Sequence, residues 1–209
     1  QRQMCIRDRV KEEELLRATE EIQNLTYRQG EYKIFKVFEP KERLIMALPF
    51  YDRVVQHMIC NAIQPVFENG FYYHSYACRS GKGMHAASDT LYQWMYETEV
   101  KQGLRMYAFK GDISKYFASI PHDKLKDENR RYIGDKKALM LMDDIIDHNG
   151  ILPDGVGIPV GNITSQLFAN VYGNKLDKFC KHVLHIPYFV RYMDCLLYTS
   201  PSPRDAHES

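Results

Sequence analysis

Two strongly apolar segments of this chain each run into an aspartate. Leu104-Arg105-Met106-Tyr107-Ala108-Phe109-Lys110-Gly111 leads to Asp112, and Tyr188-Phe189-Val190-Arg191-Tyr192-Met193 leads to Asp194. Both segments read as strands. The first, apolar and aromatic on both faces, reads as a buried one. A carboxylate at a buried strand end is costly unless it is paired or binds a metal. Two such strands side by side would bring both carboxylates to one point, although they lie 82 positions apart in the chain. Hard oxygen ligands on one point suit Mg²⁺, and two such ions sharing them suit in-line phosphoryl transfer. Either aspartate alone reads better as a cap on the following turn.

The elements around these strands set the fold class. Lys11–Leu25 has helical spacing, with Leu15, Leu16, Thr19 and Ile22 on one stripe. Tyr32–Phe38 alternates as a strand, Pro40-Lys41-Glu42 turns, and Arg43–Leu48 forms a second strand, which together make a hairpin. After Pro49, Asp52 can cap a helix carrying Val54, Val55, Met58, Ile59, Ala62 and Ile63, and Pro65 is expected to end it. Ser75–Gly83 is a glycine-bearing loop, followed by a helix with Met84, Ala87, Leu91, Trp94 and Met95 in register. Helices are expected from Pro121-His122-Asp123 and over Lys136–Asp147, the latter with Leu139, Met142, Ile145 and Ile146 inward. Asn149–Asn162 is a long loop, and Thr164–Val183 is a helix packed through Phe168, Val171, Tyr172, Leu176 and Phe179. Gly173 inside that helix costs about 1 kcal/mol against alanine, and a close contact there would explain it. Helix, hairpin, helices, strand, helices, strand is an α+β order rather than a regular βαβ alternation.

Composition narrows the class without naming a partner. The 209 residues are 44% hydrophobic, 26% charged and 12% aromatic, which excludes disorder and collagen-like repeats. The longest apolar run, Leu44–Phe50, is far short of the ~18 residues a membrane helix needs, and no signal pattern is visible, so a cytoplasmic location and no membrane partner are expected. Cys5, Cys60, Cys78, Cys180 and Cys195 are scattered, which argues against a zinc site or a disulfide framework. The net charge of +1 gives no global signal for nucleic acid. Locally, Arg79–His85 and Lys175–Arg191 are basic enough to meet phosphates, although each alone reads better as a solvated face. Both ends resemble translated sequencing-adapter read-through: Met4-Cys5-Ile6-Arg7-Asp8-Arg9 at one end, and Leu196-Leu197-Tyr198-Thr199-Ser200-Pro201-Ser202-Pro203-Arg204-Asp205-Ala206 at the other. Residues 1–10 and 195–209 are therefore expected to lie outside the fold.

The neighbourhoods of the two aspartates carry more. Asp112-Ile113-Ser114-Lys115-Tyr116-Phe117 places an aromatic five residues after the acid, and Tyr192-Met193-Asp194 ends its strand in a Tyr-x-Asp. Between them, Gly157-Ile158-Pro159-Val160-Gly161-Asn162-Ile163-Thr164-Ser165-Gln166 opens a helix. In these three segments, in order, the chain resembles the palm motifs A, B and C of a reverse transcriptase. Upstream, Arg43 with Pro49-Phe50-Tyr51-Asp52-Arg53, and Ser75-Tyr76-Ala77-Cys78-Arg79-Ser80-Gly81-Lys82-Gly83, resemble the fingers motifs of bacterial and phage members. Each motif alone is weak, and five in order are strong.

The resemblance implies a right-hand polymerase fold, with fingers over 11–104 including the N-terminal helix, palm over 105–122 and 157–194, a helical insertion over 123–156, and no thumb. It implies RNA-directed DNA polymerase activity on an RNA template, a nucleic-acid primer and deoxynucleoside triphosphates. Two Mg²⁺ ions, or Mn²⁺, would be held by Asp112, Asp194 and the Ile113 carbonyl. Phe117 would exclude a ribose 2′-hydroxyl, Arg43 and Arg79 would meet the triphosphate, and Val160, Gly161 and Gln166 would line the nucleotide pocket. Val160-Gly161 followed by Ser165-Gln166 is similar to the form found in diversity-generating retroelements, whose error-prone enzymes work with an accessory variability protein. An aliphatic residue at Val160 cannot hydrogen-bond the incoming nucleotide as an amide would, which loosens geometric selection. A group II intron or retron enzyme, or a non-catalytic RNA-binding relative, is the alternative. The family carries a second aspartate after Asp194, where this chain has Cys195, and a fragment ending at motif C is expected to be inactive. Asp143-Asp144 reads as a solvated face, His182 and His185 as surface groups, and Tyr72, Tyr73 and Tyr107 as core.

Overall fold

The computed structural model describes residues 12–38, 42–103 and 105–201. Residues 1–10 and the turn at Pro40-Lys41 fall outside them. The described chain forms two compact units, 1–63 with 121–165 and 64–120 with 166–209.

The first unit holds helix α1 (Glu12–Gln23), the antiparallel hairpin β1 (Lys33–Phe38) and β2 (Glu42–Ala47), most of α2 (Phe50–Glu68), α5 (His122–Tyr132) and α6 (Lys136–Asp147). In α1, Ala18 is the buried residue, while Leu15 and Leu16 of the expected stripe are exposed. Asp52 does not cap α2. It lies inside the helix, buried, where its carboxylate accepts from the Tyr27 hydroxyl at 2.7 Å and the Gly30 amide at 3.3 Å. Pro65 does not end α2 either: the helix continues to Glu68 without that residue's amide donor. In α6, Asp135 is the N-cap, accepting from the Ala138 amide, and Leu141, Met142, Ile145 and Ile146 are buried. Asp143 pairs with Arg130, and Asp144 is exposed, as a solvated face requires.

The second unit contains the three-stranded antiparallel sheet, in the order β3 (Met106–Asp112), β5 (Cys195–Pro201), β4 (Tyr188–Tyr192). It also contains α3 (Met84–Met95), a π-helical turn (Tyr96–Lys101), the short α4 (Tyr116–Ser119) and most of α7 (Ile163–His182). Tyr76, Ala87 and Val190 form a core cluster against which Ala86, Leu91 and Trp94 pack, leaving Met84 and Met95 exposed. Phe168, Val171 and Phe189 are buried, each worth about 2 kcal/mol of removed apolar surface. Phe179 is exposed, because α7 turns that position away from its core stripe.

Other sequence expectations also differ in this unit. The stretch after Asp194 has a place in the sheet: Leu196, Leu197 and Tyr198 have strand-forming character, and a two-residue turn lays them between β3 and β4. β3 is not buried on both faces: Tyr107 and Phe109, two positions apart and so on one face, are 56% and 54% exposed. Tyr73 is also exposed, with the Lys82 ammonium over its ring at 3.4 Å and the His74 ring edge-on at 4.9 Å, whereas Tyr72 is half-buried and donates its hydroxyl to the Phe189 carbonyl.

Candidate active site

Strand pairing brings the two aspartates to neighbouring positions. Asp112, the last residue of β3, lies opposite Cys195, the first residue of β5. The next amide, Ile113 N–H, donates to the Asp194 carbonyl at 3.0 Å. Asp112 is exposed and Asp194 half-buried, so both carboxylates meet solvent at this end of the sheet.

The turn that carries Asp194 is strained. Tyr192 pairs with Cys195, leaving Met193-Asp194 as a two-residue hairpin turn. Met193 has φ +56° there, a left-handed conformation that a hairpin of this length demands and that costs a non-glycine residue about 1–2 kcal/mol. Its side chain is buried, and its carbonyl accepts from Arg191 Nη1 at 3.0 Å.

Arg191 lies behind this turn. Its place among the lysines of a basic stretch suggests a solvated side chain, yet it is 1% exposed. Its Nε donates to both oxygens of Asp177, at 2.7 and 2.9 Å, Nη1 also reaches Asn170 Oδ1 and Nη2 donates to Ser75 Oγ. Burial pushes the Asp177 carboxyl up against the opposing pull of this guanidinium. A signal existed: Asn170, Gly173, Asn174 and Asp177 recur at helical spacing, a stripe of small and polar residues on one face of α7. Gly173 is in this contact, since a Cβ on it would lie 2.7 Å from Tyr116 Oη and 2.8 Å from Arg191 Cζ.

Phe117 follows on α4, half-buried, its ring edge-on to Tyr116 at 5.9 Å. The Tyr116 hydroxyl donates to the Ala169 carbonyl at 2.7 Å, anchoring the helix. Burial raises the Tyr116 pKa, and Asp177 and Asp194 add to the effect. Arg79 is held within its own loop. It is 7% exposed in its side chain, its Nε pairs with Glu68 at 2.7 Å, and Nη1 donates to the Tyr72 and Ser75 carbonyls, so it braces its own loop. Gln166 is exposed in the first turns of α7.

In the other unit, the loop before α7 is fastened to the hairpin. Met46 N–H donates to the Val160 carbonyl at 3.1 Å, and Asn162 Nδ2 donates to the Tyr32 hydroxyl at 2.8 Å. Gly161 has φ +125°, and a Cβ there would meet the Met46 carbonyl oxygen at 3.0 Å, so this position excludes any side chain. Val160 is thereby laid along β2, with the residue 37% exposed. Arg43 lies on the same strand opposite Val37, and its side chain falls outside the described residues.

A divalent cation fits the donors at the β3–β5 end in chemistry: two carboxylates and a peptide carbonyl are hard oxygen ligands. Among the described residues, no group of three or more histidine, cysteine or acidic side chains gathers to hold a metal, and the residue after Asp194 is Cys195. The four described cysteines are free. No described helix is long and apolar enough to cross a membrane.

Residues 36–209 match the model of the reverse transcriptase (RNA-dependent DNA polymerase) family. Among curated proteins, the chain is 28% identical over 134 residues to YkfC of Escherichia coli K12, covering 61% of this chain and 34% of that protein. It is 30% identical over 137 residues to an uncharacterised 91 kDa protein in the cob intron of Schizosaccharomyces pombe, covering 63% of this chain and 16% of that protein. The chain thus spans about a third or less of the curated relatives it matches. Among solved structures, telomerase from Candida albicans in complex with a fragment of telomeric RNA aligns with a TM-score of 0.60 at 10% identity, over 87% of this chain and 39% of that one. At that identity, the likeness establishes the right-hand polymerase fold, with its α+β fingers and palm.

Proposed function

The chain belongs to the reverse transcriptase family, and from that premise we propose that it supplies the fingers and palm of an RNA-directed DNA polymerase. The observation that carries the proposal is the juxtaposition of Asp112 and Asp194 through the Ile113 amide. Asp112, Asp194 and the Ile113 carbonyl would hold Mg²⁺ or Mn²⁺, which when bound neutralises triphosphate charge and activates a primer 3′-hydroxyl.

The remaining roles belong to the chain's own groups. Phe117, held by the anchored Tyr116, lies against the sugar of the incoming nucleotide and blocks a 2′-hydroxyl. Arg43 meets the triphosphate. Arg79, committed to Glu68 and two carbonyls, holds the Ser75–Gly83 loop in shape beside any phosphate contact it makes. Val160, Gly161 and Gln166 shape the nucleotide pocket. The partners are an RNA template, a nucleic-acid primer and deoxynucleoside triphosphates.

Within the family, the diversity-generating retroelement type is supported by Val160. An aliphatic side chain there, fixed along β2, selects by shape without a hydrogen bond. That type brings an accessory variability protein as partner. A second reading, an intron-encoded enzyme, is favoured by the similarity to a protein of the cob intron. The experiment is primer extension on an RNA template by the complete protein, with the error spectrum read by template base. Extension with errors concentrated at template adenine supports the first reading, accurate extension supports the second, and no extension overturns the polymerase proposal.

A further inference from the structure

We infer that Arg191, clamped by Asp177, is a positioning residue that aims Asp194. This rests on the proposed role of Asp194 in metal binding.

The Met193-Asp194 turn depends on a left-handed Met193, a conformation its own side chain does not favour. Of the contacts that hold it, the one to the turn's own carbonyl comes from Arg191 Nη1, at 3.0 Å. The guanidinium is fixed on every other side. Asp177, 0% exposed, takes Nε with both oxygens, and Asn170 and Ser75 take the remaining directions. The Arg191 backbone is fixed as well: its N–H donates to the His74 carbonyl, and its own carbonyl accepts from the Tyr76 amide. Ser75 is held in turn by Arg79 through its carbonyl.

A buried ion pair is a poor way to gain stability, because desolvating two charges offsets most of their attraction. Apolar residues of the same volume would pack this space as well. They would not give five directed N–H donors in one plane, one of which points at the Met193 carbonyl. The pair therefore fixes a direction, and that direction is passed to Asp194 one residue on. Gly173 is the accompanying requirement, since only a helix position without a side chain admits the guanidinium this close.

The test uses the 209-residue chain with Arg191→Met and Asp177→Leu combined, which removes both charges and keeps the volume. Arg191→Lys, which retains the charge without the fork, is measured alongside. Three readouts are taken: cooperative thermal melting, hydrogen exchange at the Ile113 amide without metal, and Mn²⁺ titration by water-proton relaxation. The expected result is a cooperative fold, at least about tenfold faster exchange at Ile113, and about tenfold or more weaker Mn²⁺ affinity. If the double variant does not fold, Arg191→Lys is expected to give the same two local changes. Unchanged Ile113 exchange and unchanged Mn²⁺ affinity in a folded variant overturn the inference. The metal reading fails separately: it is lost if Asp194→Asn leaves the Mn²⁺ titration of the wild-type chain unaltered, and Ile113 exchange then still decides whether Arg191 sets the turn.

Discussion

The Ile113 amide donates to the Asp194 carbonyl at 3.0 Å, tying the end of β3 to the β4–β5 turn. Residues 81 positions apart in sequence are thereby made backbone neighbours. The bond fixes the spacing of the two peptide units that flank the aspartates, so Asp112 and Asp194 share one backbone frame. A site built on paired strands holds its geometry better than one built on loops.

Gly173 gives a stability test whose sign opposes helix propensity. On an exposed helix, glycine to alanine gains about 1 kcal/mol. Here the new methyl meets Tyr116 Oη and the Arg191 guanidinium inside 3 Å. Gly173→Ala is expected to destabilise by about 1–3 kcal/mol, read as a lowered urea midpoint. A variant as stable as wild type would contradict the close packing of α7.

His74 gives a pH test. Its ring packs edge-on to Trp94 at 4.7 Å, with Nδ1 3.0 Å from the Tyr76 hydroxyl. Burial first, then Lys82 and Lys181, push its pKa down from 6.5 to about 4. As pH falls, the unfolded chain takes up this proton before the folded one does. The stability contribution is complete above pH 6.5 and is lost between there and about 4. The full shift corresponds to about 3 kcal/mol, discounted to on the order of 1 kcal/mol for a half-buried ring. Unfolding curves of wild type and His74→Gln across that window should diverge by this amount, and parallel pH profiles would count against it.

Phe117 is expected to discriminate sugars. In the complete polymerase, Phe117→Ala should admit ribonucleotides while leaving deoxynucleotide incorporation largely intact, because the ring is what meets a 2′-hydroxyl. Competition between the two nucleotide types in primer extension measures it. An unchanged ratio removes the role.

Val160 is expected to set fidelity. Shape alone discriminates by about 1–3 kcal/mol, and a hydrogen-bonding group does better. Val160→Gln should therefore lower misincorporation, most at template adenine. Wild-type errors that are rare and independent of the template base would remove the retroelement reading.

Much of the fold was legible because local patterns agreed with it. The Lys136–Asp147 helix and the Tyr188–Tyr192 strand have the bounds their periodicity gives, and the close contact expected at Gly173 is present. What was illegible depends on partners distant in sequence. Nothing near Pro65 signals that α2 continues past it. The aromatics of β3 look like core residues, but the face that Tyr107 and Phe109 share is exposed, and no local pattern tells a covered face from an open one. Asp52 has the local chemistry of a cap, and becomes a buried acceptor only when Tyr27 and Gly30 arrive. At the site, Asp112 and Asp194 were legible from strand ends. Arg191 was not, because a charged residue in a strand reads as exposed until its buried counter-ion, Asp177, is found on α7. The bracing role of Arg79 was illegible for the same reason: its partner, Glu68, lies outside the loop that carries it.

The central claim, that Asp112 and Asp194 together carry nucleotidyl transfer, is tested most directly by single-turnover primer extension with the complete protein bearing Asp112→Asn or Asp194→Asn. Each substitution keeps the shape and removes the charge. Each is expected to cut the rate by about 10³-fold or more, with melting temperature held. A variant of either residue that extends primer at the wild-type rate would contradict the account.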